Sequence, residues 1–460
     1  MQLKECLQSL FESKDATQNS VSRLSGINKG TLHRIIFGKQ DVKFDELMKI
    51  SGALGLSLGE KNLLFECYFN DFYGEKEMDS VRFAVAEFPK AGAALPVSVP
   101  TKGYDTYPDG GFMGNAEKVE EAIVTVTDIE SGKIYTNFPF KNERLDEFFF
   151  RKAQNKGIEL VHFVEKIQKN GEQQNLFSLM RSVRYMSIGQ FPYMLDIWQS
   201  GAETQLLPYF VVTKKAAVLF NETFGFIAED GNSVARLTEI VEGMRSSLPR
   251  LGKKPADIME IKNLTAGSSL AGNDLITICK YPCFAKHLTR EMMYAAANDV
   301  PNKEQLIEIC ASHYSHLLNG INMYNFVTLP GLEDFAKTGN FYEIPPEFVH
   351  GFPVDVRVEL LNRMKDDIEN DLFYILNRPD AIPDGITLEC YSDVTLISGT
   401  DTSVPHFALG TGFRYAASDP YYIKVTRIIK EFLIASGYVY SRDSALRIMD
   451  NCITLAKSFI

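Results

Sequence analysis

Apolar residues recur at helical spacing from the start of the chain. Leu3, Leu7, Leu10 and Phe11 share one stripe, Val21 and Leu24 sit three apart, and Leu32, Ile35 and Ile36 follow at i, i+3 and i+4. Each stripe predicts a short helix with one buried face. Gly26 falls between the second and third stripes, where the chain must turn sharply and positive φ is useful. Asn28 then predicts an N-cap and Gly38 a C-terminal stop. Residues 44–58 read as a fourth helix, and 61–73 continue helically with many large apolar residues.

From 74 to 114 the pattern breaks under the Pro and Gly punctuation of AGAALPVSVP and TKGYDTYPDGG. Beyond it the periods alternate. The β-branched run at 122–128 predicts a strand, with 133–138 as its hairpin partner across Gly132. A helix is expected at 142–156, a buried strand at 158–164 and a helix at 173–186. Three short strands follow within 206–230, turned at Lys214-Lys215 and Asn221-Glu222, and then an amphipathic helix at 232–245. Residues 255–320 look mainly helical, including 289–298 and 303–318, before a strand at 321–328 and a helix stopped by Gly339. A long helical pattern at 355–376 leads to strands at 387–391 and 394–398 and helices at 419–436 and 441–459, the last with Ser441 as N-cap. No internal repeat is visible in the sequence.

The helical hairpin at 17–38, TQNSVSRLSGINKGTLHRIIFG, has polar residues on its outward side: Lys29, Gly30, Thr31, His33 and Arg34 on the second helix. It resembles the helix-turn-helix of the lambda repressor/Cro (XRE-type) transcription regulators, with Gln18, Gly26, Ile27, Thr31, Arg34, Ile35 and Gly38 on positions typical of that family. The resemblance covers roughly residues 1–70 and includes FDELMKISGALGLSL as the usual fourth helix. It implies that the second helix enters the major groove of double-stranded DNA, where Lys29, Thr31, His33 and Arg34 reach base edges behind the capping Asn28. Gln18 would donate to a phosphate and brace that helix, as would Lys39 and Lys43 from the following loop. Phe37 departs from the family pattern, being apolar where a polar residue often stands.

Net charge is −11, which is wrong for a protein that coats nucleic acid with its whole surface. Residues 1–49, however, hold eight Lys or Arg against six Asp or Glu, so the acidic surplus lies in the rest of the chain. At 460 residues that remainder exceeds one ordinary domain. No segment approaches the roughly 18–20 apolar residues that span a bilayer, and the acidic, amphipathic N-terminus is no signal peptide. The seven scattered cysteines suit reduced thiols, so the expected compartment is cytoplasmic.

Outside the hairpin the chemistry is thin. Cys279, Cys283 and His287 are spaced by four, and Cys310, His313 and His316 by three, as helix faces that could hold zinc or a softer ion would be. Pro282 interrupts the first set and neither spacing is a zinc knuckle, so no metal and no cofactor are expected. No GxSxG, P-loop or HExxH motif is present, and no enzyme is expected. The acids Asp366, Asp367, Glu369 and Asp371 read as a solvated helix face, and Phe148–Phe150 as core packing.

The expected fold class is multidomain: an all-α helix-turn-helix unit followed by a mixed α/β (α+β) effector or oligomerisation region. The boundaries are 1–73 for the DNA-binding domain, 74–115 for a linker, 116–250 for an α/β sensor-like domain and 251–460 for a mostly helical α+β region. The expected function is sequence-specific transcription regulation by a homodimer on an inverted repeat, controlled by a small-molecule or protein effector bound to the body. The alternatives are a protein-interaction regulator of antitoxin or phage type, and an enzyme with a DNA-binding appendage.

Overall fold

The computed structural model describes residues 1–87, 95, 97–104, 109–128, 132–140, 142–155, 157–166, 181–182, 184–186, 188, 190, 192–196, 207–248, 250, 274–284, 286–300, 303–305, 307–308, 311, 322–340, 349–378, 382, 386–390, 395–400, 412–417 and 420–459. It opens with five short helices: α1 Leu3–Ser13, α2 Gln18–Ser25, α3 Lys29–Ile36, α4 Phe44–Ala53 and α5 Leu58–Phe72. Their caps are local. Thr17 Oγ1 accepts from Ser20 N, and Ser57 and Glu60 cap the start of α5 reciprocally. Leu7, Leu10, Val21, Leu32, Ile35, Leu47 and Ile50 form the common core. Leu24 does not join it and is 65% exposed. Three residues fall about 60° short of a full helical turn, and α3 and α4 cover only the Val21 side of α2.

The region expected to be punctuated loop begins with a further helix, α6 Glu75–Glu87. Its charged opening, EKEMD, hides a buried stripe of Met78, Val81 and Ala84 that packs on α5.

The mixed α/β body holds two mixed sheets. The first has seven strands: β1 Phe112–Met113, β2 Gly132–Thr136, β3 Ile158–Lys166, β4 Tyr193–Asp196, β5 Tyr209–Val212, β6 Ala217–Phe220 and β7 Gly225–Ala228, ordered β1-β7-β6-β5-β2-β3-β4. Helices α7 Ala116–Thr127 and α8 Glu143–Ala153 cover one face through Ile134, Leu160, Val211 and Val218. Helix α9 Gly231–Ser247 covers part of the other through Tyr135, Val161, Val212 and Ala217. The alternation along β2, β3 and β5 is the two-residue period of strands buried on both faces.

Helix α7 corrects the expected strand at 122–128. Val119, Ala122, Ile123 and Val126 lie at i, i+3, i+4 and i+7 and are all buried, and Asn115 caps the first turn. Burial of that stripe outweighs the β-propensity of AIVTVTD. Consequently β2 is no hairpin arm; it runs parallel to β3 and antiparallel to β5.

The second sheet has six strands: β8 Leu275–Cys279, β9 Met323–Thr328, β10 Phe373–Leu376, β11 Ile386–Cys390, β12 Thr395–Thr400 and β13 Gly412–Ala417, ordered β10-β9-β8-β11-β12-β13. Strand β8 falls where helix was expected, and β10 ends the long pattern in which α12 stops at Glu369. The described residues from 274 onward thus pack their helices on the two faces of a sheet. Helices α10 Arg290–Ala296, α11 Leu329–Thr338, α12 Val354–Glu369 and α14 Arg442–Lys457 lie on one side. Helix α13 Pro420–Ala435 lies on the other, together with α5 and α6.

The two sheets repeat one topology. Strands β2, β3 and β4 are parallel and step outward in chain order, as do β8, β9 and β10. Then β5 returns antiparallel beside β2 and is followed by two antiparallel neighbours, as β11 does beside β8. The repeat is one of strand order.

The helical unit is built into this body. One apolar cluster runs from Leu7, Leu32 and Phe69 to Ile276, Phe326 and Leu433. At its edge the Tyr73 hydroxyl donates to Glu431 Oε2 at 2.8 Å, and the Phe69 and Phe432 ring centroids are 6.2 Å apart. Among the described residues no helix is long and apolar enough to cross a membrane.

Candidate nucleic-acid interface

Helices α2 and α3 meet at Gly26, whose φ of 70° closes the corner, and Asn28 opens α3 by accepting from Gly30 N at 2.8 Å. Leu32, Ile35 and Ile36 turn inward, which forces Lys29, Gly30, His33 and Arg34 outward on the opposite side. Thr31 is half-buried beside them. The polar residues are organised among themselves. Arg34 donates from Nε to Gln40 Oε1 at 2.9 Å and from an Nη to Thr31 Oγ1 at 3.2 Å, so its planar guanidinium is held across the face of α3. Gln18, first residue of α2, places Oε1 3.3 Å from His33 Nδ1, which therefore carries the proton in this pairing.

Phe37 is 45% exposed and its ring centroid lies 4.5 Å from that of His33, so the apolar residue packs against the outward histidine. Lys39 and Lys43 are exposed in the connection to α4, on either side of Gln40 and Asp41. The hairpin thus gathers Gln18, Asn28, Lys29, Thr31, His33, Arg34, Lys39 and Lys43 around α3. Gln40 was missed in the sequence because nothing in its own pattern signals that it orients Arg34. The lysines and the arginine among these side chains are all exposed to solvent.

The other sequence candidates do not converge. Cys279 ends β8 with Sγ donating to the Tyr281 carbonyl at 2.8 Å, and Cys283 lies half-buried in the following loop. The helix face expected of Cys279, Cys283 and His287 is therefore absent, because a strand and Pro282 stand where the helix would be. His287 Nε2 and Lys286 Nζ each lie 2.7 Å from an oxygen of Asp367. Burial pushes the Asp367 carboxyl up, but the hydrogen bonds from His287 and Lys286 outweigh it and hold it below its ordinary value. Asp367 was read as part of a solvated face and is instead a buried anchor. Among the described residues no group of three or more His, Cys, Asp or Glu is placed to hold a metal, and Cys310, His313 and His316 lie outside those residues.

Residues 7–61 match the family model of the Cro/C1-type HTH DNA-binding domain. Comparison with curated proteins finds no match. Among solved structures, the chain is similar to the crystal structure of phosphatidylserine synthase from Haemophilus influenzae Rd KW20, at 12% identity and a TM-score of 0.24, covering 83% of this chain and 99% of that one. The structure matched is an enzyme's, against the expectation that the chain is no enzyme. At that TM-score the likeness carries no argument about a reaction.

Proposed function

We propose that the chain is a sequence-specific DNA-binding transcription regulator that reads the major groove with α3. The observation that carries this reading is the ordered polar face of α3, with Arg34 fixed between Gln40 and Thr31, inside a segment matching a Cro/C1-type DNA-binding domain. Lys29, Thr31, His33 and Arg34 address base edges from the first turns of α3. Gln18, Lys39 and Lys43 engage phosphates and set its register. Asn28 presents the first turn.

One such hairpin reads too few bases to specify a genomic site, so two copies bind an inverted repeat with half-sites about one helical turn apart. The α/β body supplies the contact between copies and carries the effector site. An effector changes DNA affinity only if it binds one arrangement of the two hairpins better than another.

Selection of bound fragments from random DNA by the purified protein, with its solution mass measured alongside, tests the reading. Enrichment of an inverted repeat by a protein of twice the chain mass is expected. Binding that is only salt-sensitive and without sequence preference would overturn it.

A further inference from the structure

The body contains a cleft that the DNA-binding reading does not use. It opens beside the carboxyl end of β2, between the first turns of α7 and α8, with a volume of about 320 Å³. In open α/β sheets the carboxyl ends of parallel strands are where ligands are held, because the chain leaves the sheet there and the helices splay. The volume is that of a small ligand site. Val119 and Leu145 form the apolar floor, and Tyr209 and Phe220, with ring centroids 5.6 Å apart, form an aromatic wall.

Among the described residues the charged side chains of the lining have one sign. Glu120 and Glu222 both face the cleft, and no lysine or arginine lines it among the described residues. Glu120 is 9% exposed, and its Oε2 pairs at 3.1 Å with Arg144, a half-exposed side chain outside the lining. The Glu120 carboxylate thus lines the cleft, and no described residue hydrogen-bonds its other oxygen. Burial, offset in part by Arg144, pushes its pKa up. Helix N-termini would ordinarily favour an anion here, but both are already capped: Asn115 accepts from Lys118 N at 2.9 Å and Asn142 from Leu145 N at 3.1 Å.

We infer that this cleft binds an organic amine: an ammonium group donating to Glu120, on a flat apolar body lying against Tyr209 and Phe220. The aromatic faces attract the same charge that the carboxylate requires. That such a ligand acts as the effector rests on the regulatory reading above; that it binds does not.

Calorimetric titration of the full chain with 2-phenylethylamine and with 2-phenylethanol, which shares its body and lacks the charge, tests the site. Saturable amine binding, with the alcohol about ten-fold weaker or more, is expected. Glu120→Gln removes the preference for the amine. Ala116→Phe, a substitution at the exposed mouth of the cleft that leaves the core intact, removes binding of both. No saturable binding of the amine, equal binding of the two probes, or unchanged binding in both folded variants would overturn the assignment. Affinity for a selected DNA fragment is then measured with and without the amine. If binding stands and DNA affinity does not change, the site remains and its regulatory role fails.

Discussion

At the residue scale the proposed interface rests on side chains with different tasks. Arg34 is held in place before any DNA arrives, so less entropy is lost when its fork meets a base edge. Arg34→Ala is expected to cost about 1–3 kcal/mol of operator affinity and to relax the preference at one base pair. Lys43→Ala should weaken all sequences alike and lower the salt slope by about one, since a phosphate contact carries no sequence information. Titrations against a selected site and a scrambled one, over a range of salt, separate the two. The outward placement of the α3 side chains was legible because the buried stripe opposite them is local to one hairpin. Asp367 was not: its partners Lys286 and His287 are remote in sequence, and an acidic helix turn looks solvated until the fold closes over it.

His162 offers a prediction of another kind. It is buried between the rings of Phe138 and Phe140, donates from Nε2 to the Phe138 carbonyl, and has no hydrogen-bond partner at Nδ1 among the described residues. Burial lowers its pKa to about 4, so the folded state keeps the ring neutral where the unfolded chain protonates it. The stability this contributes is present above the unfolded value of about 6.5 and is lost as pH falls toward the folded value. Between about pH 7 and about pH 5 wild type should lose about 2 kcal/mol relative to His162→Phe, which cannot titrate. Urea unfolding of both proteins at each pH checks this; a gap that stays constant would remove His162 from the acid response.

At the element scale, reading succeeded where a segment's own period decides its state and failed where tertiary burial decides it. Helices α1 to α5 carry their stripes, caps and corner glycine in sequence. Strand β8 is buried at every residue, so LITIC has no alternation to distinguish it from a buried helix. Helix α7 is the reverse case, its β-branched residues masking a helical stripe. The turn glycines can be separated by what surrounds them. Gly26 has φ of 70° but open space where a Cβ would stand, whereas a Cβ on Gly339, at φ of 71°, would sit 2.4 Å from the Phe352 carbonyl oxygen. Gly26→Ala should therefore cost only the left-handed conformation, about 1–2 kcal/mol. Gly339→Ala must also displace backbone, and its loss should be clearly larger. Urea midpoints of the two variants decide, and equal losses would mean that the crowding at Gly339 relaxes freely.

At the scale of the whole molecule, the sequence separated a DNA-binding end from a body but did not reveal how they are joined or that the body repeats itself. Matching strand orders need only matching burial patterns, not matching side chains. The joint has a mechanical consequence. The helical unit shares its core with the second sheet, so α3 is carried on a continuous apolar mass rather than on a free tether. Phe69 lies at that joint, 2% exposed, with rings of Phe44, Phe65, Tyr73 and Phe432 around it. Phe69→Ala should remove about 3–5 kcal/mol. Because the cluster is common, the loss should be felt on both sides of it. Amide exchange should accelerate in α3 and in β9 by similar factors, as it does when two elements open together. Acceleration confined to α1–α5 would mean that the hairpin opens alone, and that a signal from the body must reach DNA by some route other than this joint.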